Sequence, residues 1–322
     1  MVALTQGEAE ARVEDVSCEG LTWVNIEKPT QKEMKFLASK YFFHPLTLED
    51  CLSRVQLSKI DKYPDYIFLV LHYPALKDGG QIAVSSQLAI FLGKNYLVTI
   101  HPGDIKPLSD LFTSCKGDEQ TRKAVVCNTA GYTIYRLLDS LVDSLFPILD
   151  NILRQLDDIE DKVFDERIEA VREVTLLRRK IADLRRIVFP WKRVISELAK
   201  EVNRFSNTDL TAYFNDILDH LDKVWETLEA CKETIEIYKD TDFMLNTEKT
   251  NKILAILTII FTLSIPATVV GALYGMNVNL PGGIETGAWD FLGPYTTFII
   301  LLIISTAPAL LMLWYFRNLR WI

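Results

Sequence analysis

The sequence predicts an α+β domain, then a long α-helical stalk or funnel, and then two C-terminal transmembrane helices. Three observations lead to this prediction: short apolar strands with turn signals near the start, helical apolar stripes in the middle, and two long uncharged runs near the end. We expect the α+β domain at 1–128, the stalk at 129–250 and the membrane part at 251–322.

The first domain contains four predicted strands and a capped helix. The strands are short apolar runs at 21–26, 66–73, 86–92 and 95–100. Thr30 and Glu33 have the spacing of a capping box, which predicts that a helix begins there. The Lys-Asp-Gly-Gly-Gln stretch at 77–81 is typical of a hairpin turn between the second and third strands.

Two apolar stripes in steps of three and four residues mark the stalk. Such spacing is typical of long helices packed as a bundle or coiled coil. The first stripe consists of Ile134, Leu138, Leu141, Leu145, Ile148 and Ile152. The second consists of Ile217, Leu221, Val224, Leu228, Cys231, Ile235 and Tyr238. A third helical stretch lies between them, at about 168–203, and we expect Pro190 to bend or interrupt it.

Two uncharged segments near the C-terminus predict membrane spans. Segments 253–273 and 291–316 contain 21 and 26 residues without a charged side chain. A helix needs about 20 apolar residues to cross a bilayer core, so both segments are long enough. We place the first span at about 252–273, an outer loop at 274–290 and the second span at about 291–316.

Basic residues predict the orientation of these spans. Lys249 and Lys252 precede the first span and Arg317 and Arg320 follow the second, whereas the loop contains neither Lys nor Arg. The positive-inside rule therefore places both termini in the cytoplasm and the loop outside. The first 20 residues lack the basic flank and apolar core of a signal peptide. We expect a multi-pass protein of the cell (inner) membrane.

Composition and motifs argue against several classes of protein. The net formal charge of −8 argues against nucleic acid as a partner, because phosphate binding needs a basic surface. No phosphate-binding loop, HExxH or catalytic Ser-His-Asp order occurs, so we expect no enzyme, and we expect His220 on a helix surface. The five cysteines are odd in number and lack CxxC spacing, which predicts a reducing compartment without a disulfide framework.

The first span carries a mixed polar and apolar face. At about 100° per residue, seven residues fall within an arc of about 100°. They are Asn251, Leu254, Thr258, Phe261, Ile265, Thr268 and Ala272. Two interpretations stay open: the hydroxyls bond to their own helix or join helices together, or they line a path for a hydrated cation. Two spans cannot enclose such a path, so transport would require a homo-oligomer.

The segment Tyr-Gly-Met-Asn at 274–277, directly after the first span and before a second span, resembles the CorA family of magnesium and divalent metal ion transporters. Further segments extend this resemblance over nearly the whole chain. They are His-Pro-Leu-Thr-Leu-Glu-Asp at 44–50, Leu-Val-Asp at 141–143, Tyr-Phe-Asn-Asp-Ile-Leu-Asp-His at 213–220 and Thr-Asn at 250–251.

The resemblance implies a homopentamer in the lipid bilayer that conducts a hydrated divalent cation, Mg²⁺ first, with Co²⁺, Ni²⁺ or Zn²⁺ as alternatives. It implies a selectivity ring of Gly275, Met276 and Asn277. It also implies a pore lined by Asn251, Leu254, Leu257, Thr258, Phe261, Ile265, Thr268 and Ala272. Leu257 is the one member of this set that lies off the angular face.

The resemblance further implies a regulatory divalent site between cytoplasmic domains, which holds the pore closed when it is occupied. Its carboxylates would come from Asp216 on the stalk and Asp78 in the hairpin turn, with Asp240 as a second acidic position. The loop departs from the family pattern at 280–283, where Leu-Pro-Gly-Gly lacks an acid. Zinc-transporting relatives share this architecture, and a membrane-anchored sensor or scaffold remains an alternative of another class.

Overall fold

The computed structural model describes residues 13–53, 57–76, 82–164, 170–276, 281, 287, 289, 291, 293 and 295–318. The chain divides into two compact units, Met1–Asp240 and Thr241–Ile322. The predicted hairpin turn at 77–81 and the predicted site residues Asp78 and Asn277 lie outside the described residues.

A six-stranded mixed sheet forms the centre of the first unit. Its strands are β1 Glu14–Cys18, β2 Leu21–Glu27, β3 Lys59–Lys62, β4 Tyr66–Leu76, β5 Ile82–Gly93 and β6 Tyr96–His101. They are ordered β1-β2-β6-β5-β4-β3. β2 and β6 are parallel, and every other neighbouring pair is antiparallel.

Most of the described helices follow the sheet in the chain. The helices are α1 Gln31–Tyr41, α2 Pro45–Leu52, α3 Lys106–Gly117, α4 Glu119–Val125, α5 Ala130–Asp143, α6 Phe146–Val163, α7 Val171–Glu201, α8 Thr211–Tyr274 and α9 Thr296–Asn318. A 3₁₀ turn, Val202–Phe205, follows α7. The predicted capping box begins α1: the Thr30 side chain accepts from Lys32 N–H, and Thr30 N–H donates to the Glu33 carboxylate at 2.8 Å.

Both faces of the sheet are buried. One face packs with α1 and α2 around Phe68, Phe91 and Leu37. The other face packs with the later helices around Trp23, Leu69 and Trp191. A sheet covered on both faces needs apolar side chains on both sides of its strands, which explains the continuous apolar runs in β4 and β6.

Every residue of the two predicted apolar stripes is buried, which confirms helix packing as their role. The first stripe belongs to two helices, because the chain leaves the helix at Ser144 and α6 begins just before Pro147. We expected Pro190 to bend or interrupt its helix; it does not interrupt it, since α7 continues through Pro190.

Cys18 and Cys127 form a disulfide, with 4.8 Å between their Cα atoms. The sequence-based expectation of no disulfide is therefore wrong. The two residues are 109 positions apart, and the fold brings the end of β1 beside the connection between α4 and α5. Spacing along the chain cannot reveal a pair of this kind.

The second unit contains two helices long and apolar enough to cross a membrane, among the residues described. They are the C-terminal part of α8 and the whole of α9, with mean hydropathies of 2.5 and 2.3 over their most apolar windows. Almost none of either window is buried. Apolar side chains exposed in this way match a lipid environment or contacts with other chains.

Candidate functional site

The predicted lining of the first span lies along α8. All eight residues are helical and exposed: Asn251, Leu254, Leu257, Thr258, Phe261, Ile265, Thr268 and Ala272. The half-buried residues of the same segment lie on another side of the helix: Ala255, Ile259, Thr262, Leu263, Pro266, Val270 and Tyr274. At about 100° per residue, the two sets are centred about 140° apart.

The hydroxyl groups of this segment donate to their own helix. Thr258 Oγ1 donates to the Leu254 carbonyl at 2.8 Å, and Thr268 Oγ1 donates to the Ser264 carbonyl at 2.9 Å. A hydroxyl that has donated its proton keeps its lone pairs. These oxygens can therefore accept hydrogen bonds from the water shell of a cation, so back-bonding and path lining are compatible roles.

The helix ends at the first two residues of the Gly-Met-Asn motif. Gly275 N–H donates to the Gly271 carbonyl at 2.9 Å, and Met276 N–H donates to the Leu273 carbonyl at 3.3 Å. A Cβ added at Gly275 would lie 3.1 Å from the Gly271 carbonyl oxygen, which leaves little room for a side chain. The carbonyl end of a helix carries partial negative charge and favours cations.

A second candidate site lies in the first unit, where α5 meets α8. Asp139 and Asp143 on α5 and His220 on α8 place one ligand atom each within 4.8 Å of one another. His220 Nδ1 lies 3.3 Å from Asp143 Oδ1, and the imidazole packs edge-on against Phe146. The expectation of a plain surface role for His220 therefore misses these contacts.

The predicted regulatory residue Asp216 interacts electrostatically with this cluster. Burial raises the pKa of the Asp139 carboxyl, and the negative charges of Asp143 and Asp216 raise it further. Arg136, whose Nη1 lies 3.7 Å from Asp139 Oδ2, opposes that rise. Asp216 itself is exposed on α8. Carboxylates at such short distances repel one another, and a bound divalent cation would offset this repulsion. Carboxylate oxygens are suitable ligands for such a cation.

Asp240 does not belong to this cluster. It is 24 residues beyond Asp216 on the same helix, which corresponds to about 36 Å at 1.5 Å per residue. Its carboxylate is exposed and lies 3.3 Å from Lys239 Nζ. The structure therefore separates two of the predicted regulatory carboxylates.

Two spacings in the sequence could have revealed the cluster. Asp139 and Asp143 are four residues apart on α5, and Asp216 and His220 are four residues apart on α8. Residues at i and i+4 share a helix face, so each helix presents a pair of metal-ligating side chains. The facing of the two pairs depends on tertiary packing, which the sequence does not display.

Comparison with known proteins identifies the relatives of the chain. A model of the family described as CorA-like Mg²⁺ transporter protein matches residues 19–318. The cobalt/magnesium transport protein CorA of Thermotoga maritima is 26% identical over 304 residues, covering 94% of this chain and 83% of that protein. The putative metal ion transporter YfjQ of Bacillus subtilis is 29% identical over 262 residues, covering 80% and 78%.

The fold also matches a solved structure. The CorA magnesium transporter from Methanocaldococcus jannaschii superposes with a TM-score of 0.76 at 20% identity, covering 94% of this chain and 92% of that chain. At this identity the likeness concerns the fold alone. It confirms the predicted class: an α+β domain, long helices and two C-terminal apolar helices.

Proposed function

The chain belongs to the CorA-like Mg²⁺ transporter family, and we propose that it conducts hydrated Mg²⁺ through a homopentameric pore lined by the first span. Family membership makes the protein a divalent cation transporter with two membrane-spanning helices, and not an enzyme. The choice of Mg²⁺, the pentamer, the pore lining and the regulation by divalent cations belong to the proposal.

The observation that carries the proposal is the exposure of the predicted lining on α8. A helix that only anchored a protein would expose apolar side chains to lipid, whereas this face also presents Asn251, Thr258 and Thr268. Exposed polar groups are costly against hydrocarbon. Several copies of the chain around one axis would turn this face toward an aqueous path.

The chemistry of the face suits a hydrated cation. Its hydroxyl oxygens are available as acceptors, and the carboxamide oxygen of Asn251 is an acceptor too. Magnesium dehydrates reluctantly and keeps several waters. We propose that these groups hold the waters of the ion and that Leu254 and Ile265 form apolar constrictions that close the path by dewetting.

We assign ion selection to Gly275, Met276 and Asn277. The carbonyl end of α8 at the first two residues supports this assignment, because it favours a cation at the mouth of the path. The Asn277 carboxamides of neighbouring subunits would then hold the waters of the incoming ion.

We assign regulation to Asp216 together with the α5–α8 cluster, which consists of Asp139, Asp143 and His220. Asp78 and Asp240 remain further carboxylate candidates. Divalent cations bound there would offset carboxylate repulsion and stabilise the closed state, and their loss would release it. The proposed orientation, with both termini in the cytoplasm and the protein in the cell (inner) membrane, exposes these carboxylates to the cytoplasmic ion concentration.

One observation favours an alternative metal. Imidazole is a better ligand for cobalt, nickel and zinc than for magnesium, and the cluster contains His220. A transporter of Co²⁺, Ni²⁺ or Zn²⁺ with the same architecture is therefore the second candidate.

Uptake into proteoliposomes tests the function. We expect the purified chain to transport Mg²⁺ into the vesicles faster than Co²⁺, Ni²⁺ or Zn²⁺. Measured at two membrane potentials and two pH gradients, the rate should change with the potential. Faster Zn²⁺ or Co²⁺ uptake would favour the alternative metal. The native oligomeric mass of the detergent-solubilised protein distinguishes a pore from a membrane-anchored sensor or scaffold, because a monomer or dimer could not enclose the path.

A further inference from the structure

The edge strand β1 is attached to the first unit mainly by its pairing with β2. Among the residues described it pairs with β2 alone, and Val16 is its one buried side chain. Its ion pair, Glu14 with Lys116 at 2.9 Å, joins two exposed side chains. Exposed ion pairs contribute little to stability. The disulfide between Cys18 at the end of β1 and Cys127 adds a covalent restraint to this strand.

Both ends of that link are held in place. Cys18 pairs with Leu21 across a hairpin whose turn residues, Glu19 and Gly20, have φ values of 47° and 90°. Cys127 follows α4, and its N–H donates to the Arg122 carbonyl at 3.1 Å. The Cα separation of 4.8 Å lies within the range that a disulfide requires. The two thiols thus need no large movement of the backbone to meet.

The remaining three cysteines differ in environment. Cys51, Cys115 and Cys231 are buried and free, whereas Cys18 and Cys127 are half-buried. Burial raises the pKa of the Cys115 thiol to about 11 and also raises the pKa of Cys51 and Cys231. Only the thiolate attacks an oxidant or a disulfide. Burial and a raised pKa protect the other three thiols, so we expect oxidation at the half-buried Cys18 and Cys127.

We propose that Cys18 and Cys127 are a reversible redox modification site, which fixes β1 to the connection between α4 and α5 when oxidised and releases it when reduced. Its reversibility rests on the proposed cytoplasmic orientation, because cytosolic dithiols and glutathione keep disulfides transient there. Neither cysteine belongs to the proposed lining of the cation path or to the set Asp139, Asp143 and His220.

The chemistry balances with a peroxide as oxidant. One thiolate attacks a peroxide oxygen, an S–O bond forms, the O–O bond breaks and a water leaves after protonation. The second thiolate then attacks the sulfenic sulfur, an S–S bond forms, the S–O bond breaks and a second water leaves. In the reverse direction a dithiol transfers two electrons to the disulfide and becomes oxidised itself.

The test uses the purified full-length chain. After dithiothreitol, N-ethylmaleimide should add two labels to the folded protein, at Cys18 and Cys127, and intact mass counts them. After hydrogen peroxide it should add none, and peptide mapping should show an 18–127 cross-link. The Cys18→Ser and Cys127→Ser variants should lose the cross-link. Cys115→Ser, a matched control on α3, should keep it.

Hydrogen exchange of the oxidised and reduced native chain provides a second test that requires no variant. Reduction should speed amide exchange in β1 on the order of tenfold or more, and leave exchange in β4 and β5 unchanged. Three results would overturn the proposal: no 18–127 cross-link after peroxide, equal exchange in both redox states, or a cross-link that dithiothreitol cannot open in the folded protein. The last result would mean a permanent structural disulfide.

Discussion

His220 Nδ1 lies 3.3 Å from Asp143 Oδ1, so an imidazole on α8 and a carboxylate on α5 meet across a helix interface. With Asp139 beside them, they form the second candidate site, which offers both oxygen and nitrogen ligands to a divalent cation. We expect His220→Asn to lower the apparent affinity for Co²⁺ about tenfold, and the affinity for Mg²⁺ much less, because imidazole favours cobalt.

The rise in Tm of the full-length chain with increasing Co²⁺ or Mg²⁺ measures this affinity. Glu226→Ala is the control, since Glu226 is an exposed acid further along α8. Equal losses for both metals would argue that the imidazole is not a ligand.

Asp216 tests the proposed regulation. We expect Asp216→Ala to raise the Mg²⁺ concentration that half protects the chain from proteolysis by about tenfold, because one carboxylate of the closed state is lost. Limited proteolysis over a Mg²⁺ series gives this midpoint. Glu226→Ala removes the same charge and should leave the midpoint unchanged; a matching shift in both variants would indicate a general charge effect.

The two faces of the first span provide a matched pair of substitutions. Thr268 lies on the proposed lining, whereas Thr262 lies on the half-buried side. Valine has the shape of threonine without its acceptor oxygen. We expect Thr268→Val to reduce Mg²⁺ flux on the order of threefold or more, and Thr262→Val to leave it nearly unchanged. Equal flux in the two variants would contradict the assignment of the lining face.

A hydrogen bond between α6 and α8 contributes to the stability of the stalk. Tyr238 on α8 donates its Oη–H to the Glu160 carboxylate on α6 at 2.7 Å. We expect Tyr238→Phe to lower the free energy of unfolding by about 1–2 kcal/mol. Tyr213→Phe is the control, because Tyr213 is 43% exposed; its cost should stay below about 0.5 kcal/mol.

The same bond predicts a dependence on pH. Burial and the Glu160 carboxylate raise the pKa of Tyr238 to about 12, from its usual value of 10.0. The proton on the folded phenol therefore stabilises the protein below pH 10.0, and this contribution disappears as the pH rises toward about 12. Thermal melts of the native chain and Tyr238→Phe should converge over that range. A constant difference would contradict the role of the phenolic proton.

The sequence predicted the parts of the fold that leave a local signature. The stripe residues Leu138 and Leu221 are buried as expected, because helical periodicity directly reports the face that packs. The strands β1 and β3 were missed. They lie at the two edges of the sheet and carry charged residues such as Asp15 and Asp61 in place of an apolar run.

Local patterns predict single helix faces of the sites, but not which faces meet. The face of the first span could be drawn from angles alone, and the family resemblance supplied the role of Asn277. The partnership of Asp143 with His220 and the pairing of Cys18 with Cys127 join residues far apart in the chain. Such pairs arise only when packing of helices and strands brings the segments together.

Uptake of Mg²⁺ by proteoliposomes that contain Asn277→Ala tests the central claim most directly. Asn279→Ala is the matched control, because it makes the same substitution two residues further along the loop. We expect Asn277→Ala to reduce the initial uptake rate at least about tenfold at an unchanged oligomeric mass, and Asn279→Ala to retain most of it. Uptake by Asn277→Ala at the rate of the native chain would contradict the proposal that the Gly-Met-Asn motif selects the ion.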